Sequence, residues 1–226
     1  MTKSVRSRVN ESLLQPLERP ALAWIVRRLP AWVTSDNLTV FGIFGAVLTF
    51  VSYGLTNWCL GFVWLASFGL VIQWFGDSLD GTLARFRGHE RPRYGHFIDH
   101  TTDIFTQLLI ILGIGMMPFV QFESACLALI GYYMISTYEH IRASVTQTLR
   151  ISVGVLGPTE GRVVVILVNT LVFFWPPTPI ITLWAPLTIV DIALLVFFAL
   201  ACVMTTTGYI TDLRQLSAED PPRSGR

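Results

Sequence analysis

Charge is what this chain has least of. Only 14% of its 226 residues are Asp, Glu, Lys or Arg, where a soluble domain of this length carries roughly a quarter. The deficit reflects several apolar runs long enough to cross a bilayer and excludes an ordinary water-soluble globule. Cysteine is equally sparse. Cys59, Cys126 and Cys202 lie far apart in or beside apolar runs, which excludes a disulfide framework and a cysteine metal motif; buried free thiols are expected. Internal repeats and low-complexity tracts are absent. Residues 1–37 are polar and basic, without the early apolar stretch of a signal peptide. The formal net charge of +1 says little, because the charges are unevenly placed. No nucleic-acid partner is expected.

The uneven placement is informative. The chain reads as an all-α integral membrane protein with six transmembrane helices, at about 38–56, 58–75, 95–119, 124–146, 162–175 and 187–207. All sixteen Lys and Arg fall in the N-terminal arm, the second-to-third connection, the fourth-to-fifth connection with its flanks, or the C-terminal tail. The loops near 56–58, 120–123 and 175–186 carry none. By the positive-inside rule both termini are cytoplasmic. The organisation is then a cytoplasmic arm over 1–37, a six-helix transmembrane catalytic domain over 38–207 and a cytoplasmic tail over 208–226, its Pro/Arg/Gly/Ser end disordered.

Ahead of the first span, residues 10–33 interleave Leu13, Leu14, Leu17, Leu22, Trp24, Ile25 and Trp32 with Glu11, Glu18, Arg19, Arg27 and Arg28. Too polar to span, this stretch suits an interfacial amphipathic helix, broken into short pieces by Pro16, Pro20 and Pro30. Ser35, Asp36 and Asn37 supply capping side chains for the first span.

Against this apolar background one stretch stands out, DSLDGTLARFRGHERPRYGHFIDHTTD, from Asp77 to Asp103. Asp77 and Asp80 are spaced i,i+3 and Asp99 and Asp103 i,i+4, so each pair shares a helix face. Gly81 and Ala84 continue the first stripe and Gly95 precedes Asp99 by one turn, which lets the two helices approach closely. Two carboxylates ~4 Å apart repel by about 4 kcal/mol at an effective dielectric of ~20. A cation is therefore expected between them, and oxygen-only ligands suit Mg²⁺, Mn²⁺ or Ca²⁺. Two metal ions here can hold a polyphosphate and stabilise displacement at phosphorus. Arg85 can grip a phosphate bidentately. Asp103, deepest along its span, can accept the proton of an attacking hydroxyl. A structural cation site, or a divalent-cation transporter or channel built from the same carboxylates, remains an alternative. Elsewhere within the spans only Asp191 sits deep, and a lone carboxylate there reads as structural.

The spacing Asp77-x₂-Asp80-Gly81-x₂-Ala84-Arg85-x₉-Gly95-x₃-Asp99-x₃-Asp103 resembles the signature of the CDP-alcohol phosphotransferase family at all eight positions. The resemblance implies a six-helix membrane enzyme, often a homodimer, that transfers a phospho-alcohol group from a CDP-linked donor to a hydroxyl acceptor and releases CMP. It further implies that Asp77, Asp80 and Asp99 bind Mg²⁺ or Mn²⁺, that Asp103 binds metal or acts as base, and that Gly81, Ala84 and Arg85 line the CDP site, with Gly95 alongside. Thr34 to Thr39 is similar to the family's Thr-Pro-Asn-x-x-Thr, which would give Asn37 and Thr39 a cytidine role, although Ser35-Asp36 stands where Pro would.

Within the family, the amphipathic entry, Phe97-Ile98-Asp99-His100, Thr137-Tyr138, Thr148-Leu149-Arg150 and Thr159-Glu160 resemble choline/ethanolamine phosphotransferases, and a prokaryotic relative in a bacterial cytoplasmic membrane fits the short chain. His100 is then a candidate for acceptor activation beside Asp103, or a histidine hydrogen-bonded to a neighbouring carboxylate. Glu139 and His140 can face the site. Two donors stay open. CDP carries the head group and a lipid alcohol attacks, or CDP-diacylglycerol is attacked by glycerol phosphate, inositol phosphate or serine. A phosphorylated acceptor needs a basic pocket, for which Arg142, Arg150 and Arg162 are the candidates; the same three equally fit anchors at the positively charged membrane face.

Overall fold

The computed structural model describes residues 7–9, 14–146, 148–150, 157–183 and 185–220. Its seven helices are α1 (Gln15–Val26), α2 (Ser35–Leu55), α3 (Phe62–Arg87), α4 (Pro92–Ile114), α5 (Phe122–Thr146), α6 (Pro158–Phe174) and α7 (Ile189–Glu219). Two short pairings complete the description. The strand β1 (Ser7–Val9) runs parallel to β2 (Thr148–Arg150), and β3 (Ile181–Thr182) pairs antiparallel with β4 (Pro186–Leu187). The expected basic start is described only at 7–9 and the expected disordered end, 221–226, lies outside the described residues. The side chain of Arg150 does too.

Among the described residues, four helices, α2, α3, α4 and α7, are long and apolar enough to cross a membrane. Their outer faces carry large exposed apolar side chains, such as Phe41, Phe44 and Val47 on α2 and Val196, Leu200 and Val203 on α7. Exposed apolar surface on that scale is what a lipid-embedded helix presents.

Helices α2 and α3 meet through glycine. A Cβ on Gly45 would come within 2.5 Å of the Gln73 backbone nitrogen, and one on Gly76 would collide with the Leu38 carbonyl and Gly42. Removing side chains lets the two backbones close up, a device suited to helices that share an apolar solvent. The sequence expectation is a different one, a close approach of α3 and α4 at Gly81 and Gly95, and there the structure differs. A Cβ at Gly81 would meet only the Arg85 side chain, and one at Gly95 would meet nothing within 4 Å.

Two cores hold the bundle. At one end Tyr53, Val63, Ala66, Ile114, Val172 and Val190 bring together α2, α3, α4, α6 and α7. Polar bonds cross this core: the Tyr53 hydroxyl donates to Asn169 Oδ1 (3.1 Å) and Asn169 Nδ2 donates to Ser67 Oγ (2.9 Å). At the other end Leu22 and Val26 of α1 bury against Leu79 and Leu83 of α3, each such side chain worth about 1.5–3 kcal/mol of transfer free energy.

Glu18 fastens α1 further. Its carboxylate accepts from Trp74 Nε1 (2.8 Å), Ser78 Oγ (3.0 Å) and Thr159 Oγ1 (3.1 Å), joining α1 to α3 and α6. Glu160 answers from α6 by accepting the Leu14 backbone N–H (2.8 Å). Pro16 and Pro20 do not break the arm as expected: Pro16 lies in the first turn, where no intrahelical N–H is missed, and α1 runs through Pro20.

Other details also differ from expectation. Thr34, not Ser35, Asp36 or Asn37, caps α2, accepting the Asn37 N–H on Oγ1 (3.2 Å). Asp36 is instead held bidentately by Arg91 NH2 (2.7 and 2.8 Å). Pro92, preset for a first helical turn, starts α4 ahead of Gly95. Helix α7 continues past Gly208 to Glu219. The cysteines are unbonded, but Cys59 is exposed and Cys126 and Cys202 are only half-buried, where buried thiols were expected. Asp191 is structural: it closes a capping box with Thr188 and accepts the Gln121 N–H (2.7 Å).

Candidate active site

The site forms where α3 ends and α4 begins. Gly88 terminates α3 at φ 66°, a left-handed conformation open to glycine at little cost. The His89 N–H then returns to the Ala84 carbonyl (3.0 Å). Arg91, stacked over Tyr94 at 3.9 Å, ties the short turn to α2 through Asp36. Arg87 donates to the carbonyls of Leu29, Pro30, Ala31 and Val33, fixing the α1–α2 connection. Three chain segments are thereby locked around one opening.

That opening is a cleft lined by Thr39, Gly42, Gln73, Asp77, Asp80, Asp99 and Thr102. Asp80 Oδ2 accepts from Thr39 Oγ1 (2.6 Å), and its Oδ1 accepts the Gly81 N–H. Asp77 Oδ2 accepts from Arg162 NH2 (2.5 Å), and Arg162 Nε donates to Gln73 Oε1 (2.6 Å). Arg162 is thus a buried guanidinium from α6, not an exposed anchor. Asp103 lies one turn below Asp99, within electrostatic reach of Asp77, Asp80, Asp99 and Arg162.

Four carboxylates against one guanidinium leave three formal negative charges in a partly buried cleft. Arg162 supplies part of the cation that the spacing demands, and the remainder calls for more positive charge. The donor set is entirely oxygen, which suits hard divalent ions. Among the described residues no three His, Cys, Asp or Glu side chains stand close enough to one point to hold a metal. The donors therefore fit a divalent cation in kind, and three of them share a cleft without forming a closed cage.

The other residues singled out by sequence are spread more widely. Thr39 lines the cleft, but Asn37 is exposed and its backbone N–H is used in the helix cap. Gly81 and Ala84 sit on the same helix beside the cleft. Arg85 is exposed, folded back so that its guanidinium lies near Gly81 and bonds Thr82 Oγ1 (3.2 Å). Gly95 is open. His100 packs edge-on between His96 and His140, with centroids 4.2 and 4.6 Å apart. Arg142, offered as part of a basic pocket, donates to Asp212 Oδ2 (2.7 Å) and pairs with Glu139 (3.7 Å). Sequence reading missed Gly42, Gln73 and Thr102. For Gln73 a signal existed, since it is an uncharged polar residue inside an apolar run, one turn before Asp77.

Comparison with known proteins agrees with this geometry. The chain matches the family model for CDP-alcohol phosphatidyltransferase over residues 32–205. It is 31% identical over 166 residues to the archaetidylinositol phosphate synthase of Pyrococcus horikoshii, covering 73% of this chain and 81% of that one. It is 27% identical to cholinephosphotransferase 1 of Danio rerio over 74% of this chain, but spans only 45% of that protein's length. In three dimensions it is similar to a Mycobacterium tuberculosis phosphatidylinositol phosphate synthase solved with CDP-DAG bound. That likeness has a TM-score of 0.53 and 21% identity, over 93% of this chain and 98% of that one. With the model spanning the three helices that build the cleft, this chain belongs to the CDP-alcohol phosphatidyltransferase family, membrane transferases of phospholipid synthesis that use a CDP-linked donor and an alcohol acceptor.

Proposed function

We propose that the chain transfers a phospho-alcohol group from a CDP-linked head group to a lipid alcohol and releases CMP. The observation that carries this reading is the aspartate cleft itself, where Asp77, Asp80 and Asp99 share one opening with Thr39 and Gln73. In the proposed arrangement Asp77, Asp80, Asp99 and Asp103 hold two Mg²⁺ or Mn²⁺ ions. When bound, such ions neutralise the phosphates and stabilise charge that develops as CMP departs.

The chain's own residues do the rest. Thr39 orients Asp80 through its 2.6 Å bond, and Arg162 orients Asp77. Gly81, Ala84, Arg85 and Gly95 flank the CDP moiety, with Asn37 at its edge. Asp103 accepts the proton of the acceptor hydroxyl, whose oxygen forms a bond to the phosphorus bearing the alcohol. The bond from that phosphorus to the CMP oxygen breaks, and CMP leaves as the anion. His100, against His140, positions Asp103's side of the helix. The proposed setting is six spans with α5 and α6 completing the set, α1 in the interface, the arm 1–37 and tail 208–226 cytoplasmic, and two copies paired.

Among the described residues, the two candidate arginines support an uncharged acceptor. Arg162 is matched with Asp77 and Gln73, and Arg142 with Asp212 and Glu139. A phosphorylated acceptor would have to displace carboxylates from both. The second reading, CDP-diacylglycerol attacked by a small polar alcohol, draws on the 31% identity to an archaetidylinositol phosphate synthase.

A CMP-release screen separates the two. Purified protein with Mg²⁺ or Mn²⁺ is given CDP-choline, CDP-ethanolamine or CDP-diacylglycerol, each with diacylglycerol, inositol phosphate, glycerol phosphate or serine. Release with CDP-choline or CDP-ethanolamine and diacylglycerol is expected. Release only from CDP-diacylglycerol would transfer the assignment to the second reading, and silence throughout would count against both.

A further inference from the structure

Six tyrosines occur in the chain, and five are readily accounted for. Tyr53, Tyr133 and Tyr138 donate their hydroxyls to Asn169 Oδ1 (3.1 Å), the Ile104 carbonyl (2.7 Å) and Asp212 Oδ2 (2.5 Å). Tyr94 and Tyr209 are exposed. Tyr132 differs: it is partly buried, its hydroxyl makes no hydrogen bond to any described residue, and that hydroxyl is not among the sealed, unpartnered polar atoms. A tyrosine hydroxyl that stays accessible at the end of a packed ring is placed to bond a ligand.

Its surroundings identify the partner's chemistry. Tyr132 lies within electrostatic reach of Asp103 first, then of Arg162 and Asp77. Two contacts fix the register that puts it there. Tyr133 hangs on the Ile104 carbonyl, and seven residues along, His140 packs against His100. Tyr132, Ser136 and His140 recur at one helical spacing, so this stripe of α5 faces the α4 stripe of His100 and Asp103. No residue of α5 lines the cleft formed by α2, α3 and α4. Tyr132 therefore stands on the α5 side of Asp103, outside the lining of that cleft.

We infer that the Tyr132 hydroxyl contacts the acceptor, donating a hydrogen bond to the oxygen of the alcohol that Asp103 deprotonates. That oxygen has two lone pairs. One accepts from Tyr132 and the other forms the bond to phosphorus, so the contact aims the attack as well as holding the substrate. The inference rests on the transferase reading and adds a residue on the acceptor side that the aspartate signature does not contain.

The test is Tyr132→Phe in the full chain, which keeps the ring and removes only the hydroxyl. Kinetics are run with diacylglycerol and CDP-choline, and with inositol phosphate and CDP-diacylglycerol, using whichever pair wild type turns over. Loss of one uncharged hydrogen bond predicts a rise in acceptor KM of about three- to tenfold, a donor KM within about twofold and an unchanged melting temperature. Tyr133→Phe, which loses the Ile104 bond, is expected to lower the melting temperature without that selective change. An unchanged acceptor KM in Tyr132→Phe, or acceptor and donor KM rising together, would overturn the inference while leaving the transferase reading intact. Silence of wild type and variant with every pair would overturn both.

Discussion

The two helices that bring aspartates to the cleft are held very differently. Half of the apolar window of α3 is buried inside the protein, against 17% of that of α4. Helix α3 is clamped by the glycines of α2, the leucine core under α1, and polar bonds from Glu18 and Arg162. Helix α4 turns Phe97, Ile104 and Phe105 outward and is steadied by Arg91 at its start and by Tyr133 further along. In the proposed arrangement, rigid packing suits the half that presents fixed oxygens to a polyphosphate, because a preset site loses little on reorganisation. In the same arrangement an open flank suits the half that admits a membrane-borne substrate. The difference separates what the site holds from what it must let pass.

Substitutions can break this contrast in order of effect. On the open half, Asp103→Asn is expected to lower turnover by about 10²- to 10⁴-fold with donor binding and melting temperature close to wild type. Turnover within a few-fold of wild type would remove Asp103 as the base. On the packed half, Gly76→Val is expected to act through the fold. Overpacking costs about 1–3 kcal/mol or more, so thermal unfolding in detergent is expected several degrees lower, with poor recovery of folded protein. Retention of wild-type stability would mean that α2 and α3 are not in close contact there.

Glu18→Gln removes the charge that three donors share, and about 1–2 kcal/mol of stability is expected to go with it; a melting temperature equal to wild type would show that the α1 anchor is dispensable. The smallest change is expected from Gly95→Ala. With nothing within 4 Å and a helical position gained for alanine, stability is expected to rise by up to about 1 kcal/mol. The donor KM then sharpens the comparison: a rise would put the CDP moiety against Gly95, and no change would put it nearer α3.

What was legible in the sequence follows the same division. The aspartate spacing, the apolar runs and the distribution of arginine pointed to a membrane bundle with one acidic site, because each signal lies within a single helix or loop. Contacts between distant segments were not legible. The glycines that bring α2 against α3 were not singled out, and Gly81 and Gly95 were assigned to a close approach of α3 and α4, since a lone Gly does not announce which neighbour it faces. Arg162 looked like an anchor or a phosphate ligand because its bond to Asp77 spans 85 residues. Pro20 looked like a breaker because local propensity carries no account of the leucine core beneath α1. Thr34 takes the cap because α2 begins one residue earlier than the sequence suggested, which puts Asp36 inside the first turn, where it bonds Arg91.

The bonds of Glu18 also have an order in time. Trp74 and Ser78 can reach its carboxylate once the second long helix exists, but Thr159 stands 141 residues further along the chain. A ribosome must therefore deliver α4, α5 and the start of α6 before the arm is fully fastened. Until then the first helix is held on one side only. The last clasp on the N-terminal arm thus closes late in synthesis, after both aspartate-bearing helices have been made.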